Sequence, residues 1–270
     1  MTRAISHLAL ILGAILFFFP FAWLVSTSFK PDSQIFLFPP TLFPNPVMWE
    51  NYTRVFQFVP FFRLAGNTIF ITGLNILGTL TSCSLVAYAF SRLRWPGRDL
   101  LFVVMLSTMM LPAQVTMIPV YLLFAKLGWI DTFYPLWVPS WFGSAFSIFL
   151  LRQFFLTIPR ELEEAALVDG AGYFRIYRTI MLPLVKPALA TVAIFTFMAQ
   201  WNDFLHPLIY LNSLDHMTLA IGLRLLQTTH GSEWGLLMAA STMMTIPVML
   251  VFFFTQRYFI QGITLTGLKG

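Results

Sequence analysis

Residues 161–187, ELEEAALVDGAGYFRIYRTIMLPLVKP, hold four of the chain's eleven carboxylates, Glu161, Glu163, Glu164 and Asp169, together with Arg175, Arg178 and Lys186. Catalysis or metal binding would need partners at ligand spacing. His7, His206, His216 and His230 are scattered, and none is paired in sequence with a carboxylate and a serine or with metal-ligand spacing. The lone Cys83 excludes an internal disulfide and suggests no thiolate site. No G-x-x-x-x-G-K-[ST] occurs, so the glycine-rich backbone and lysine that cradle a nucleotide phosphate are missing. The chemistry left to the charged segment is recognition. Glu161, Glu163 and Glu164 follow Pro159, where the first turns of a helix favour negative charge. Ala165, Ala166 and Leu167 propagate that helix, and Gly170 ends it in a left-handed cap. A second short helix is expected from about Gly172 to Met181, stopped by Leu182-Pro183. Leu162, Ala165, Ala166 and Asp169 share a small-residue face suited to close approach by another protein, although any amphipathic loop helix has such a pattern.

A second polar group is Trp201-Asn202-Asp203. An aromatic ring, an amide and a carboxylate at membrane depth suit the lining of a solute path that binds sugar hydroxyls. They equally suit an interfacial Trp with a span-end Asp, which is the commoner use. Asn67, Asn75 and Gln114 are single amides in apolar stretches and read as glue between helices.

These groups sit in a chain that is 58% hydrophobic and only 10% charged, with a mean hydropathy of +0.77. A soluble domain carries about 25% charge, so composition excludes that class. Apolar blocks at about 8–27, 65–90, 100–125, 134–152, 187–211 and 235–256 each suffice to cross a hydrocarbon layer. The expected fold is therefore an all-α polytopic membrane protein with six transmembrane helices. Pro20, Pro112, Pro119, Pro139 and Pro247 predict kinks within spans. The first apolar block is too long for a signal-peptide core and is read as a retained span.

Orientation follows from the cations. With the N-terminus inside, only Lys30, Arg54, Arg63, Lys126 and Arg224 fall outside, and the remaining eleven of the sixteen fall inside. The turn RLRWPGR (92–98) is the strongest inner marker. Both termini are thus expected in the cytoplasm, with a Pro-rich external loop at 28–63 and one substantial inner excursion at 153–186. The basic residues do not cluster on one face, so the net charge of +5 points to topology and not to nucleic acid.

Glu164-Ala165-Ala166, Gly170, Ile180 and Leu182-Pro183 stand at the fixed spacings of the EAA motif, and on them the chain resembles the inner-membrane permeases of ATP-binding-cassette (ABC) importers. The stretches AYAFSRLRWPGRDLLF (87–102) and QWNDFLHPLIYL (200–211) resemble the carbohydrate-importer branch, specifically the smaller six-span subunit of the maltose-type pair. The resemblance implies a type I ABC importer permease fold, with a first span and external loop over 1–63, a transmembrane domain over 64–262 and a cytoplasmic tail over 263–270. It implies a binding-protein-dependent sugar or polyol permease of the bacterial inner membrane, not an enzyme. Its partners would be a second, unlike permease, two ATP-binding subunits holding ATP and magnesium, and an extracytoplasmic solute-binding protein. The EAA residues, with Asp169, would form the coupling helix seated on the ATPase, and the acidic residues would meet its surface. The C-terminal tail, with Gly262, Gly267 and Gly270, would reach the ATPase dimer. A rival reading, an ion-coupled secondary transporter acting alone, requires paired mid-span acids and repeats that the chain lacks.

Overall fold

The computed structural model describes the backbone of residues 2–229 and 233–267 and the side chains of 5–227 and 233–256. Among the described residues the chain is helical and contains no strand. In chain order the principal helices are α1 (Thr2–Ser28), α2 (Glu50–Phe58), α3 (Phe61–Arg92), α4 (Arg98–Ser107), α5 (Ala113–Lys126), α6 (Ala145–Thr157), α7 (Glu161–Val168), α8 (Lys186–Trp201), α9 (Leu205–Tyr210), α10 (Leu219–Thr229) and α11 (Trp234–Gly267).

Among the described residues, three stretches are single helices long and apolar enough to cross a membrane: Ile5–Ser28, Phe61–Arg92 and Trp234–Gln256. Three more reach that standard only as bent pairs. The block expected at 100–125 breaks between Met110 and Ala113 with a 97° bend, and Pro112 sits at the break. Proline lacks the N–H that would continue the ladder, and it disfavours helical backbone at Leu111 before it. Pro20, Pro119 and Pro247 instead stand inside helices that continue through them. The block expected at 187–211 stops at Trp201 and resumes as the short α9. The tail expected at 263–270 is helical as far as Gly267, and residues 268–270 lie outside the described residues, as does His230.

The chain divides into two compact units, 1–65 with 218–250, and 66–217 with 251–270. In the first, the junction after α1 is knotted by polar groups. Lys30, 1% exposed, donates to the Thr41 carbonyl at 2.5 Å and lies 4.1 Å from the Trp23 ring centroid. Burial lowers its ammonium pKa. Asn51 donates to the carbonyls of Ser28 and Lys30, and Gly235 approaches so closely that a Cβ there would lie 2.8 Å from the Asn51 amide nitrogen. The ion pair Arg54–Glu233 at 2.6 Å belongs to the same unit.

The second unit holds the candidate site. Its main core gathers Cys83, Ala87 and Tyr88 of α3, Leu151 and Phe155 of α6, and Ile176, Met181, Ala188 and Val192 from the following segment and α8. A smaller cluster packs Ile71, Phe124, Leu136 and Tyr210 together. Gly78 brings α3 against the turn Val138–Phe142: a Cβ at that position would lie 2.5 Å from the Trp141 ring.

Candidate coupling loop and polar cavity

The charged segment folds as a helix, a glycine turn and a second helix. Glu161, Glu163 and Glu164 occupy the first turn of α7, which has no side-chain cap; its free N–H groups there favour carboxylates. At the other end Gly170 has φ +79, its N–H donates to the Leu167 carbonyl at 3.0 Å, and the Ala171 N–H donates to the Ala166 carbonyl at 2.9 Å. Those two bonds make a Schellman turn. The second helix departs from expectation. It begins at Tyr173, widens into a π-helical turn over Tyr177–Met181, and continues through Leu182-Pro183 to Leu184. In a regular helix the Pro183 ring would press on the carbonyl four residues earlier; the wide turn removes that carbonyl from its path. The bend comes instead at Val185, where the axis turns by 77° into α8.

The two faces of α7 differ from the sequence expectation. Ala166 is buried in the core, and Glu163 is only 7% exposed. Glu164, Ala165, Asp169 and Gly170 face solvent, together with Leu162 and Val168. Ala166 therefore does not share the partner-ready face, and Glu163 is not one of the outward acids. Ile180 and Leu182 pack on the core edge, and Pro183 is exposed.

Three side chains of α3 at four-residue intervals hold this segment. Ser84 shares a 2.7 Å hydrogen bond with the Tyr177 hydroxyl. Tyr88 donates to Glu163 Oε1 at 3.3 Å, and its ring lies 5.3 Å from that of Tyr177. Arg92 donates to the carbonyls of Phe155 and Ile158, and its guanidinium stands 3.9 Å from Glu163 Oε2. The two carbonyl bonds close the end of α6 at Phe155 and at its C-cap Ile158, where the Ile158 N–H also donates to the Phe155 carbonyl at 3.2 Å. Residues at i, i+4 and i+8 share a helix face, so one edge of α3 carries all three anchors. No sequence signal distinguished them, because the partners lie 63 to 93 residues away.

The same helix borders a cavity of about 820 Å³ in this unit. Asn75 and Thr79 of α3 line it with Gln114 and Phe124 of α5, Ser140, Ser144 and Ser147 near α6, and Gln200, Asp203, His206 and Tyr210. Neither lysine nor arginine is among the lining residues. Of the three residues Trp201, Asn202 and Asp203, only Asp203 reaches the wall. Trp201 is 2% exposed and stacks on Phe197, and Asn202 turns away to bond the Met198 carbonyl. The reason is that α8 ends at Trp201, so the three side chains leave the helical track in different directions. Asp203 receives the His206 Nδ1 at 2.9 Å and the His206 backbone N–H at 3.3 Å. The pairing adds a partner that the sequence reading did not name for His206, and the i, i+3 spacing at a helix start was its available signal.

The amides resolve individually. Asn67 bonds the carbonyls of Asp215 and Met217, and Asn75 bonds those of Ile71 and Leu136, as glue should. Gln114 makes no hydrogen bond among the described residues and faces the cavity. Near the cavity, Asp131 ties two loops together. It accepts from the backbone of Asn212 and Ser213 at 2.9 Å each, from the Ser213 hydroxyl and from His216, and these bonds hold its carboxyl well below the usual range.

Residues 76–265 match the family described as binding-protein-dependent transport system inner membrane component. The chain is 35% identical to the sn-glycerol-3-phosphate transport system permease protein of Yersinia pestis bv. Antiqua (strain Antiqua), covering 95% of this chain and 94% of that one. It is 35% identical to the trehalose/maltose transport system permease protein of Thermococcus litoralis, with 99% of each covered. Among solved structures, a chain of a bacterial ABC transporter involved in the import of the acidic polysaccharide alginate superposes with a TM-score of 0.84 at 26% identity, over 96% of both chains.

Proposed function

The chain belongs to the family of binding-protein-dependent transport system inner membrane components, and from that premise we propose how its parts serve import. It is a permease subunit of an ABC importer for sugars or related polyols, and not an enzyme. In the proposed assembly it pairs with a second, unlike permease and receives solute from an external binding protein. Two cytoplasmic ATPase subunits hold ATP and magnesium and supply the energy. Six crossings would leave both termini on one side of the membrane, and the lysine and arginine bias supports the cytoplasmic side.

The observation that carries the coupling role is the division of labour within α7. Its inner face is bonded to α3 through Glu163, while Glu164, Ala165 and Asp169 remain outside and unoccupied by this chain. A surface presented outward on a firmly backed helix suits a cleft on a moving ATPase. The cavity is the proposed share of the solute path, with Asp203, Gln114 and Gln200 meeting hydroxyl groups that both donate and accept.

The test uses the assembled importer in vesicles. Glu164→Lys is expected to lower ATP-driven uptake at least about tenfold while ATP hydrolysis persists, the scale of a misplaced charge at a docking surface. Unchanged uptake would remove the coupling role, and solute movement by this chain without any ATPase would overturn the importer assignment.

A further inference from the structure

At the foot of α3 three arginines converge from two separate segments. Arg94 comes from the turn after α3, Arg98 opens α4, and Arg160 immediately precedes α7; together with Trp95 and Asp99 they line a recess of about 420 Å³. Arg98 is committed: its Nε donates to Asp99 at 2.8 Å and an NH1 to the Leu93 carbonyl at 3.2 Å. Arg94 and Arg160 are exposed, and their guanidiniums have no acidic partner or hydrogen bond among the described residues. One carboxylate against three guanidiniums leaves the recess with a net charge of about +2. Guanidiniums in a fork geometry suit phosphate oxygens better than they suit water.

The surroundings choose the kind of anion. Leu100 forms part of the recess wall and is 70% exposed, and Leu101, Val103 and Val104 of α4 continue as an uncovered apolar surface. Trp95 packs beside Phe90 at the junction, as an aromatic ring at a membrane interface does. A cationic recess that opens onto a bare apolar helix face fits an amphiphile: headgroup above, acyl chain alongside. The geometry points to a binding site for the phosphodiester headgroup of an anionic phospholipid, held by Arg94, Arg98 and Arg160 beside the coupling loop. Its assignment to the inner leaflet rests on the orientation proposed above.

The experiment places the assembled importer in nanodiscs of phosphatidylcholine with a minor fraction of phosphatidylglycerol, followed by detergent release and native mass spectrometry. Phosphatidylglycerol is expected to remain bound, and Arg94→Gln with Arg160→Gln to reduce its occupancy roughly thirtyfold, about a fivefold effect for each charge. Both side chains are exposed and unpartnered, so the double variant leaves nothing buried without a partner; Arg94→Lys with Arg160→Lys should keep part of the binding. Arg175→Gln with Arg178→Gln, which removes the same charge from the neighbouring segment, should retain the lipid. Equal loss in that control, or equal retention of phosphatidylcholine, would overturn the site. Displacement by millimolar inorganic phosphate with no preference for phosphatidylglycerol would reassign the recess to free phosphate. Lipid held by the permeases alone but expelled in the full complex would assign the arginines to the ATPase surface. Retention of the lipid by a preparation with no ATP-driven uptake would sink the transport reading and leave the site standing.

Discussion

The Arg92 guanidinium reaches the last carbonyls of α6 across 63 residues of sequence, and its side chain is 2% exposed. Arg92→Ala would take the side-chain donor from the Ile158 carbonyl, leave the Phe155 carbonyl only the Ile158 N–H, and leave the buried Glu163 carboxylate without its cation. The expected loss is about 3 kcal/mol, read from the denaturation midpoint of the purified permease. One terminal nitrogen of Arg92 meets both carbonyls while the other faces Glu163, so lysine, with a single charged nitrogen, should restore only part of it. A wild-type midpoint for the alanine variant would refute the capping role. Asp131 gives a pH test. Because its carboxyl is held below the ordinary range, the stability it contributes is present above that range and is lost as pH falls through the folded-state value. Hydrogen exchange at Asn212 and Ser213 should stay slow through about pH 4, where free aspartates protonate, and quicken only in stronger acid. Asp131→Ala should speed both amides at neutral pH; unchanged rates would mean that the carboxylate does not hold the loops.

At the scale of elements, what was legible depended on range. The helix start after Pro159 and the left-handed Gly170 are local properties, and both appear where the residues pointed. The long uniform blocks gave α1, α3 and α11, since apolar length alone decides them. Hydropathy does not register a bend, so the break at Leu111-Pro112 was visible only as a proline, and the bend at Val185 only through Pro183 before it and Pro187 in the first turn of α8. The turning of Glu163 inward was also hidden, for its partners Tyr88 and Arg92 belong to a distant helix. Two glycines test these elements in different ways. Gly78→Val drives a side chain into the Trp141 ring and should cost about 1–3 kcal/mol of global stability. Gly170→Val meets no atom within 4 Å, so its penalty of about 1–2 kcal/mol comes from the left-handed backbone alone. It should loosen exchange protection in residues 166–171 and leave the rest of the protein unchanged. A global loss from Gly170→Val would show that the turn supports more than its own loop.

For the whole molecule, sidedness is the property on which import depends. Val168 is 88% exposed, and the single native thiol, Cys83, is fully buried. In the permease without its ATPase subunits, Val168→Cys should therefore react with a membrane-impermeant maleimide in inside-out vesicles and remain silent in intact cells. Labelling of intact cells would reverse the topology and, with it, the coupling scheme. Within the second unit, α3 carries Asn75 and Thr79 at the cavity and Tyr88 and Arg92 at the loop, about 20 Å further along one unbroken helix. A rod of that kind has no slack to absorb a push. If the loop is pushed as proposed, this helix is the shortest continuous route by which the thrust would reach the cavity wall.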